Sequence, residues 1–268
     1  MNADSSFLRL GTSSWSCQDW LGKFYAPGTP PKEFIAAYAQ KFNTVEIDST
    51  FYAIPNKSTV EGWRDRTPVD FTFAAKAPQI ITHEKFLADC GGDLNAFLKV
   101  MDILGPRLGP ILFQFPYFAK KSGVTQDDFL RRLKPFVAAL PDGYRWAVEL
   151  RNKTWLGKPL FAALAEKNIS LALIDHPWMY RPDDLLAKAG ILTGPFAYIR
   201  WLGDRHGIED ITLTWNETVV DRVSDLQQWV PHIQELIERR FPVFGYVNNH
   251  YAGYSPGTLH ILNGLLGE

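Results

Sequence analysis

Thr44-Val45-Glu46-Ile47-Asp48 (TVEID) alternates apolar and acidic side chains, and that alternation decides the fold. In an extended strand successive side chains point to opposite faces. Val45 and Ile47 therefore share one face, and Glu46 and Asp48 share the other. The pattern recurs downstream. Around Trp146–Leu150 (WAVEL), Glu149 and Arg151 oppose Val148 and Leu150. In Phe196–Trp201 (FAYIRW), Tyr198 and Arg200 oppose Ile199 and Trp201. Strands that are apolar on one face and charged on the other fit a barrel whose apolar faces meet an outer layer of helices. The charged groups then point inward near one end.

Five further segments read as strands: Leu8–Ser13, Phe71–Lys76, Ile111–Phe115, Leu171–Asp175 and Val243–Asn248. They are rich in β-branched and aromatic residues and bounded by turn signals. Helical spacing fills the intervals. Pro31–Phe42 carries Phe34, Ile35, Tyr38 and Phe42 on one face. Phe129, Leu133, Phe136, Val137 and Leu140 repeat the spacing, as do Leu160, Phe161 and Leu164. Leu226, Trp229, Val230, Ile233, Leu236 and Ile237 do so most clearly. Asp183 is expected to cap a helix, and Ser255-Pro256 to open the last one. Alternating strands and helices imply parallel strands joined by crossovers. Eight such units predict a TIM-type (β/α)8 barrel, one domain over residues 1–268. The competing doubly wound sheet lacks a G-x-G-x-x-G after any strand.

Composition narrows the function classes. A formal net charge of -1 offers no global attraction to nucleic acid or an anionic membrane, although a local basic site is compatible with it. Cys17 and Cys90 form no C-x-x-C pair, and reduced thiols suit a cytoplasmic protein. Met1–Ser6 is polar without a signal pattern, and no apolar run is long enough to span a bilayer. No membrane partner is therefore expected.

Barrel sites form at the carboxyl ends of the strands. Those positions hold Ser13, Ser14, Trp15 and Trp20, then Glu46, Asp48, Phe51 and Tyr52. Lys76, with His83 beyond it, follows strand three, and Gln114 ends strand four. Glu149, Arg151, Asp175, His176, Arg200, Asn248, Asn249 and His250 complete the ring. An interior ion-pair network is the competing reading. Buried charges are costly unless paired, and pairing adds little net stability, so a cluster at this end reads as a site.

The segments GTSSWSCQDWLGKFY (Gly11–Tyr25) and VEIDSTFYAIP (Val45–Pro55) resemble motifs of the domain of unknown function 72, or YecE-like, family. FTFAAKA, ITH, ELRNKTW, YIRWLG and YVNN follow in the family's order across nearly the whole chain. The resemblance implies a TIM barrel and a set of positions rather than a reaction. Those positions are Trp15, Trp20, Glu46, Asp48, Phe51, Tyr52, Lys76, Glu149, Arg151, Arg200 and Asn248. Cys17 stands where the family pattern leads one to expect an aromatic residue, which questions one stacking partner at the mouth.

Several chemistries compete for this ring. A phosphate site is expected at the loops after strands seven and eight, with Gly203, Gly207, Gly253, Gly257 and the amide end of the helix opened by Ser255. Turn shaping is the alternative role for each glycine. Mouth aromatics suit stacking on a base or sugar. Glu46, Asp48, Glu149, Asp175, His176 and His250 offer ligands for a divalent metal, though no tight ligand spacing such as H-E-x-x-H occurs. A glycosidase needs two carboxylates, but Gln114 and Arg200 stand where many barrel glycosidases carry theirs. No G-x-S-x-G elbow supports a serine triad.

The expected function is an enzyme of hydrolase or isomerase type acting on a phosphorylated, sugar- or base-containing ligand. Glu149 is the expected general acid/base. Lys76, Arg151 and Arg200 would hold the anion, and Glu46 and Asp48 would orient them or bind a metal. Trp15, Trp20, Phe51 and Tyr52 would wall the ligand, and Gln114, Asp175, Asn248 and Asn249 would contact it. A non-catalytic nucleotide or nucleic-acid binding module and a metal-dependent nuclease- or isomerase-like barrel are the alternatives.

Overall fold

The computed structural model describes residues 7–267, so the polar start at Met1–Ser6 lies outside the described residues. Its strands are β1 (Leu8–Thr12), β2 (Thr44–Ile47), β3 (Thr72–Lys76), β4 (Leu108–Gln114), β5 (Arg145–Glu149), β6 (Ser170–Asp175), β7 (Ala197–Trp201) and β8 (Val243–Val247). All pair in parallel in the order β1-β8-β7-β6-β5-β4-β3-β2, as expected of a TIM-type barrel. The helices are α1 (Phe34–Ala39), α2 (Lys57–Asp65), α3 (Gly91–Met101), α4 (Gln126–Ala138), α5 (Lys158–Ala165), α6 (Pro182–Leu186), α7 (Arg205–Glu209), α8 (Val223–Glu238) and α9 (Ser255–Leu266). Among the described residues, no helix is long and apolar enough to cross a membrane.

β1 and β2 close the barrel without a full ladder. One bridge joins Ser13 to Glu46. Below it, the Tyr38 hydroxyl of α1 is inserted into the seam. It accepts from the Thr12 amide at 2.8 Å and donates to the Thr44 carbonyl at 3.1 Å. Gly11 lets the strands approach, because a Cβ there would collide with the Thr44 carbonyl oxygen.

The two faces of each strand separate as the alternation predicts. Val45, Ile47, Val148, Leu150, Ile199 and Trp201 pack in the outer core against the helices. The barrel interior is a distinct cluster that includes Ala74, Leu112, Ala147, Tyr198, Phe244 and Tyr246. Glu46, Glu149 and Arg200 are buried on the inward faces of their strands, toward the carboxyl end.

Two local expectations change. Pro31–Phe42 is a short 3₁₀ turn at Pro31–Glu33 followed by α1, rather than one helix. Asp183 does not cap α6, whose cap is Arg181 with Pro182 at the first helical position. Proline there needs no donor and presets the backbone. Asp183 lies in the first turn and meets His232 at 2.6 Å.

Candidate functional site

A chain of charge runs from the barrel axis to its mouth. Arg200 on β7 donates to Glu46 on β2 at 2.7 Å and to Glu149 on β5. Tyr198 donates its hydroxyl to the other Glu46 oxygen at 2.6 Å. Glu149 receives Arg151 Nε at 2.9 Å on its remaining oxygen. Arg200 is 2% exposed and both glutamates 0%, whereas the Arg151 side chain is 36% exposed.

This arrangement bears on two expected roles. Burial alone would raise the Glu149 pKa, but the charges of Arg200 and Arg151 outweigh it and hold the carboxyl at about 2. The two arginines thus favour the ionised carboxylate, which anchors both of them. Arg200 is enclosed between carboxylates on its terminal nitrogens, and its buried Nε has no partner among the described residues. The trio is the interior network that competed with the site reading, and Arg151 is where it meets the mouth.

Lys76 supplies a second cation. Its Nζ lies 3.1 Å from Asp48 and 3.9 Å from the Phe51 ring centroid. Thr50 fixes the loop that carries Phe51 by donating to the Lys76 carbonyl at 2.7 Å. Phe51 is buried, while Tyr52 beside it is 67% exposed and free to meet a ligand.

Sequence reasoning passed over His83 as a site residue. It belongs to a π-helical turn, Ile80–Glu84, a rare geometry associated with functional sites. Its Nδ1 is 2.8 Å from the Thr82 hydroxyl, and its ring meets Phe51 edge-on at 4.9 Å. Burial, then the positive charges of Lys76 and Arg151, push its pKa down to about 4 against the pull of Glu149. Burial and these charges favour the neutral imidazole, and the Phe51 ring that His83 meets also carries Lys76 Nζ over its face. Burial and Arg151 also lower His176, against Asp204 and Glu149. Nothing in the chain's periodicity signals a π turn; only the I-T-H spacing after strand three pointed here.

Other expected residues are engaged by contacts within the fold. Asp175 shares parity with Leu171 and Leu173 and turns outward, accepting from Trp229 at 2.7 Å and Tyr251 at 3.1 Å. Trp15 is buried against Trp63 at 5.2 Å, and Trp20, 1% exposed, packs on Phe24 and Tyr25. Neither tryptophan walls the mouth, because the Ser13–Tyr25 loop folds back over the outer core. The Gln114 amide donates to the Phe115 carbonyl. Asn248 holds His250 through contacts of 3.0 and 2.6 Å, and His250 meets Glu209 at 3.1 Å.

The loops after β7 and β8 are tied by contacts within the chain. Asn249 accepts from the Ser255 amide at 3.0 Å and from its hydroxyl at 2.7 Å, covering the start of α9. Gly203 (φ +67°) and Gly253 (φ +102°) lie against neighbouring backbone and serve the turns. Asn249 also contacts Cys17 Sγ at 3.8 Å, and both cysteines are free thiols. The expected metal ligands are not assembled: among the described residues no three His, Cys, Asp or Glu side chains converge as a ligand group.

The mouth has an aromatic rim of its own. Tyr117, from the loop after β4, and Trp178, from the loop after β6, are 54% and 65% exposed with ring centroids 6.4 Å apart. Both were missed because they lie beyond the strand ends, where side-chain parity no longer applies.

A family model described as "Protein of unknown function DUF72" matches residues 9–268. The chain is 31% identical to UPF0759 protein YunF of Bacillus subtilis, over 92% of this chain and 90% of that one. It is 28% identical to UPF0759 protein YecE of Escherichia coli K12 over 63% of this chain, and spans 59% of that relative's length. Among solved structures, the DUF72 family protein of Thermotoga maritima superposes with a TM-score of 0.75 at 24% identity, covering 97% of this chain and 99% of that one. One from Enterococcus faecalis gives 0.66 at 23% identity, covering 97% of each. These structural likenesses bear on the fold.

Proposed function

The chain belongs to the DUF72 family, and we propose that its barrel mouth binds a phosphorylated ligand across Lys76 and Arg151 and performs acid–base chemistry on it through His83. The observation that carries this reading is that Lys76 and His83 meet on one Phe51 ring at the mouth, with Lys76 and Arg151 each held by its own carboxylate. Arg151 keeps its terminal nitrogens without a protein partner among the described residues, and a guanidinium edge suits a phosphate oxygen pair.

The free imidazole is too weak a base for neutral pH. A dianion seated on Lys76 and Arg151 offsets the charges that depress it, so its pKa rises toward the operating range. Ligand binding thereby prepares the base. Proton abstraction from an attacking water or from a carbon beside a carbonyl fits this arrangement, which supports hydrolase or isomerase chemistry.

Calorimetric titration with inorganic phosphate and simple phosphate esters tests the proposal. Lys76→Met or Arg151→Met should weaken binding by about tenfold or more, the loss of one charge-assisted contact. His83→Asn should retain binding while abolishing turnover of any ester that is processed. Binding unaffected by both cation variants would overturn it.

A further inference from the structure

Beside the mouth lies a cleft of 410 Å³ lined by Tyr117, Arg151, Asn152, Lys153, Thr154 and Trp178. Its volume falls in the range of small-molecule sites. We infer that it is a subsite for a planar heteroaromatic ring, so that the phosphorylated ligand is a nucleotide. This deepens the reading above: Arg151 lines the cleft and is also one of the two cations assigned to the phosphate, so one ligand would place its ring in the cleft and its phosphate on Arg151 and Lys76.

The aromatic walls are held in place from behind. Asn152 accepts from the Phe118 amide at 2.9 Å and donates to the Phe118 carbonyl at 2.9 Å, tying the loop after β4 to the loop after β5. Phe118 stacks on Trp155 at 5.5 Å and 13°. Tyr117, the residue before it, is thereby fixed in position while its own ring stays exposed. Trp178 is positioned in turn by its amide, which donates to His176 Nδ1 at 3.2 Å, and by edge contact with that ring at 5.1 Å.

Two large exposed aromatics on anchored loops serve no packing purpose, since neither belongs to the core. Their faces are available to a π-system, and every nucleobase has one. The Arg151 plane adds a cation against such a ring, and Lys153 at the far side lies 5.1 Å from the Tyr180 ring. A sugar phosphate would fill the anion position and leave Tyr117 and Trp178 exposed.

Calorimetry with AMP, glucose 6-phosphate, adenosine and inorganic phosphate on the full chain tests the subsite. AMP should bind more tightly than glucose 6-phosphate. Trp178→Leu and Tyr117→Ala should each weaken AMP about tenfold and leave phosphate unchanged, the loss of one stacking contact. An unchanged thermal midpoint verifies that these exposed positions do not affect folding. Equal binding of AMP and glucose 6-phosphate, indifferent to both variants, would overturn the ring subsite and leave the anion site standing. Binding of adenosine with none of phosphate would keep the ring subsite and overturn the anion site. Binding of none of the probes would overturn both.

Discussion

Arg200 on β7 meets Glu149 on β5 inside the barrel, with β6 between their strands and both side chains shut off from water. Removing the Glu149 charge leaves Arg200 with Glu46 as its one remaining carboxylate partner. Glu149→Gln should therefore cost about 1–3 kcal/mol in urea unfolding, the loss of charge-assisted hydrogen bonds to two arginines. It should also release Arg151, so that phosphate binding falls with stability. A cost below 1 kcal/mol would mean the pair is not closed to water as described.

The barrel seam gives an independent stability test. Tyr38→Phe removes the hydroxyl that joins β1 and β2 and leaves the buried Thr12 amide without an acceptor. The expected cost is about 1–3 kcal/mol. Hydrogen exchange at Thr12 should accelerate more than at the β4–β5 ladder. Uniform acceleration throughout the sheet would argue against a local seam.

Acid should weaken the fold in two stages. His83 titrates near 4 in the folded chain and near 6.5 when unfolded, so the unfolded state binds more protons between those values. Stability contributed by the neutral imidazole is therefore lost as pH falls from about 6.5 to 4. His176 and His250, also lowered chiefly by burial, act with the same sign. Glu149 follows: its stabilisation is present above 4.5 and lost as pH falls toward 2. The thermal midpoint of His83→Asn should fall less steeply than that of the parent chain between pH 6.5 and 4. Parallel curves would show that His83 is not depressed.

Asp175 supplies a negative prediction. It turns toward Trp229 and Tyr251, away from Lys76 and Arg151. Asp175→Asn should leave phosphate binding unchanged while altering stability. Loss of binding at constant stability would return Asp175 to the site.

The barrel was legible because strand alternation is a local physical signal. Val45, Ile47, Val148 and Ile199 have to face the helices if Glu46, Glu149 and Arg200 face inward, and the sheet follows that parity. The same parity applied to Asp175 groups it with Leu171 and Leu173, which is why a polar residue at a strand end is not thereby a site residue. Beyond the strands the signal fades. Trp15 and Trp20 lie in an irregular loop whose return over the core no periodicity encodes. Tyr117 and Trp178 owe their exposure to anchors, Asn152 and His176, that come from other segments or only meet once folded. The Glu149 environment was half legible: Arg151 shares its strand face in the sequence, whereas Arg200 is brought to it by the fold.

The His83 ring resonances report directly on the charges of Lys76 and Arg151 and on an anion that offsets them. Nuclear magnetic resonance titration of His83 between pH 4 and 8, with and without inorganic phosphate, is the decisive measurement. The expected result is a free value near 4 that rises when phosphate binds, with the rise absent in Arg151→Met. Sulfate, which does not titrate in this range, should produce the same direction of shift. A His83 pKa near 6.5 that ignores both anions would contradict it.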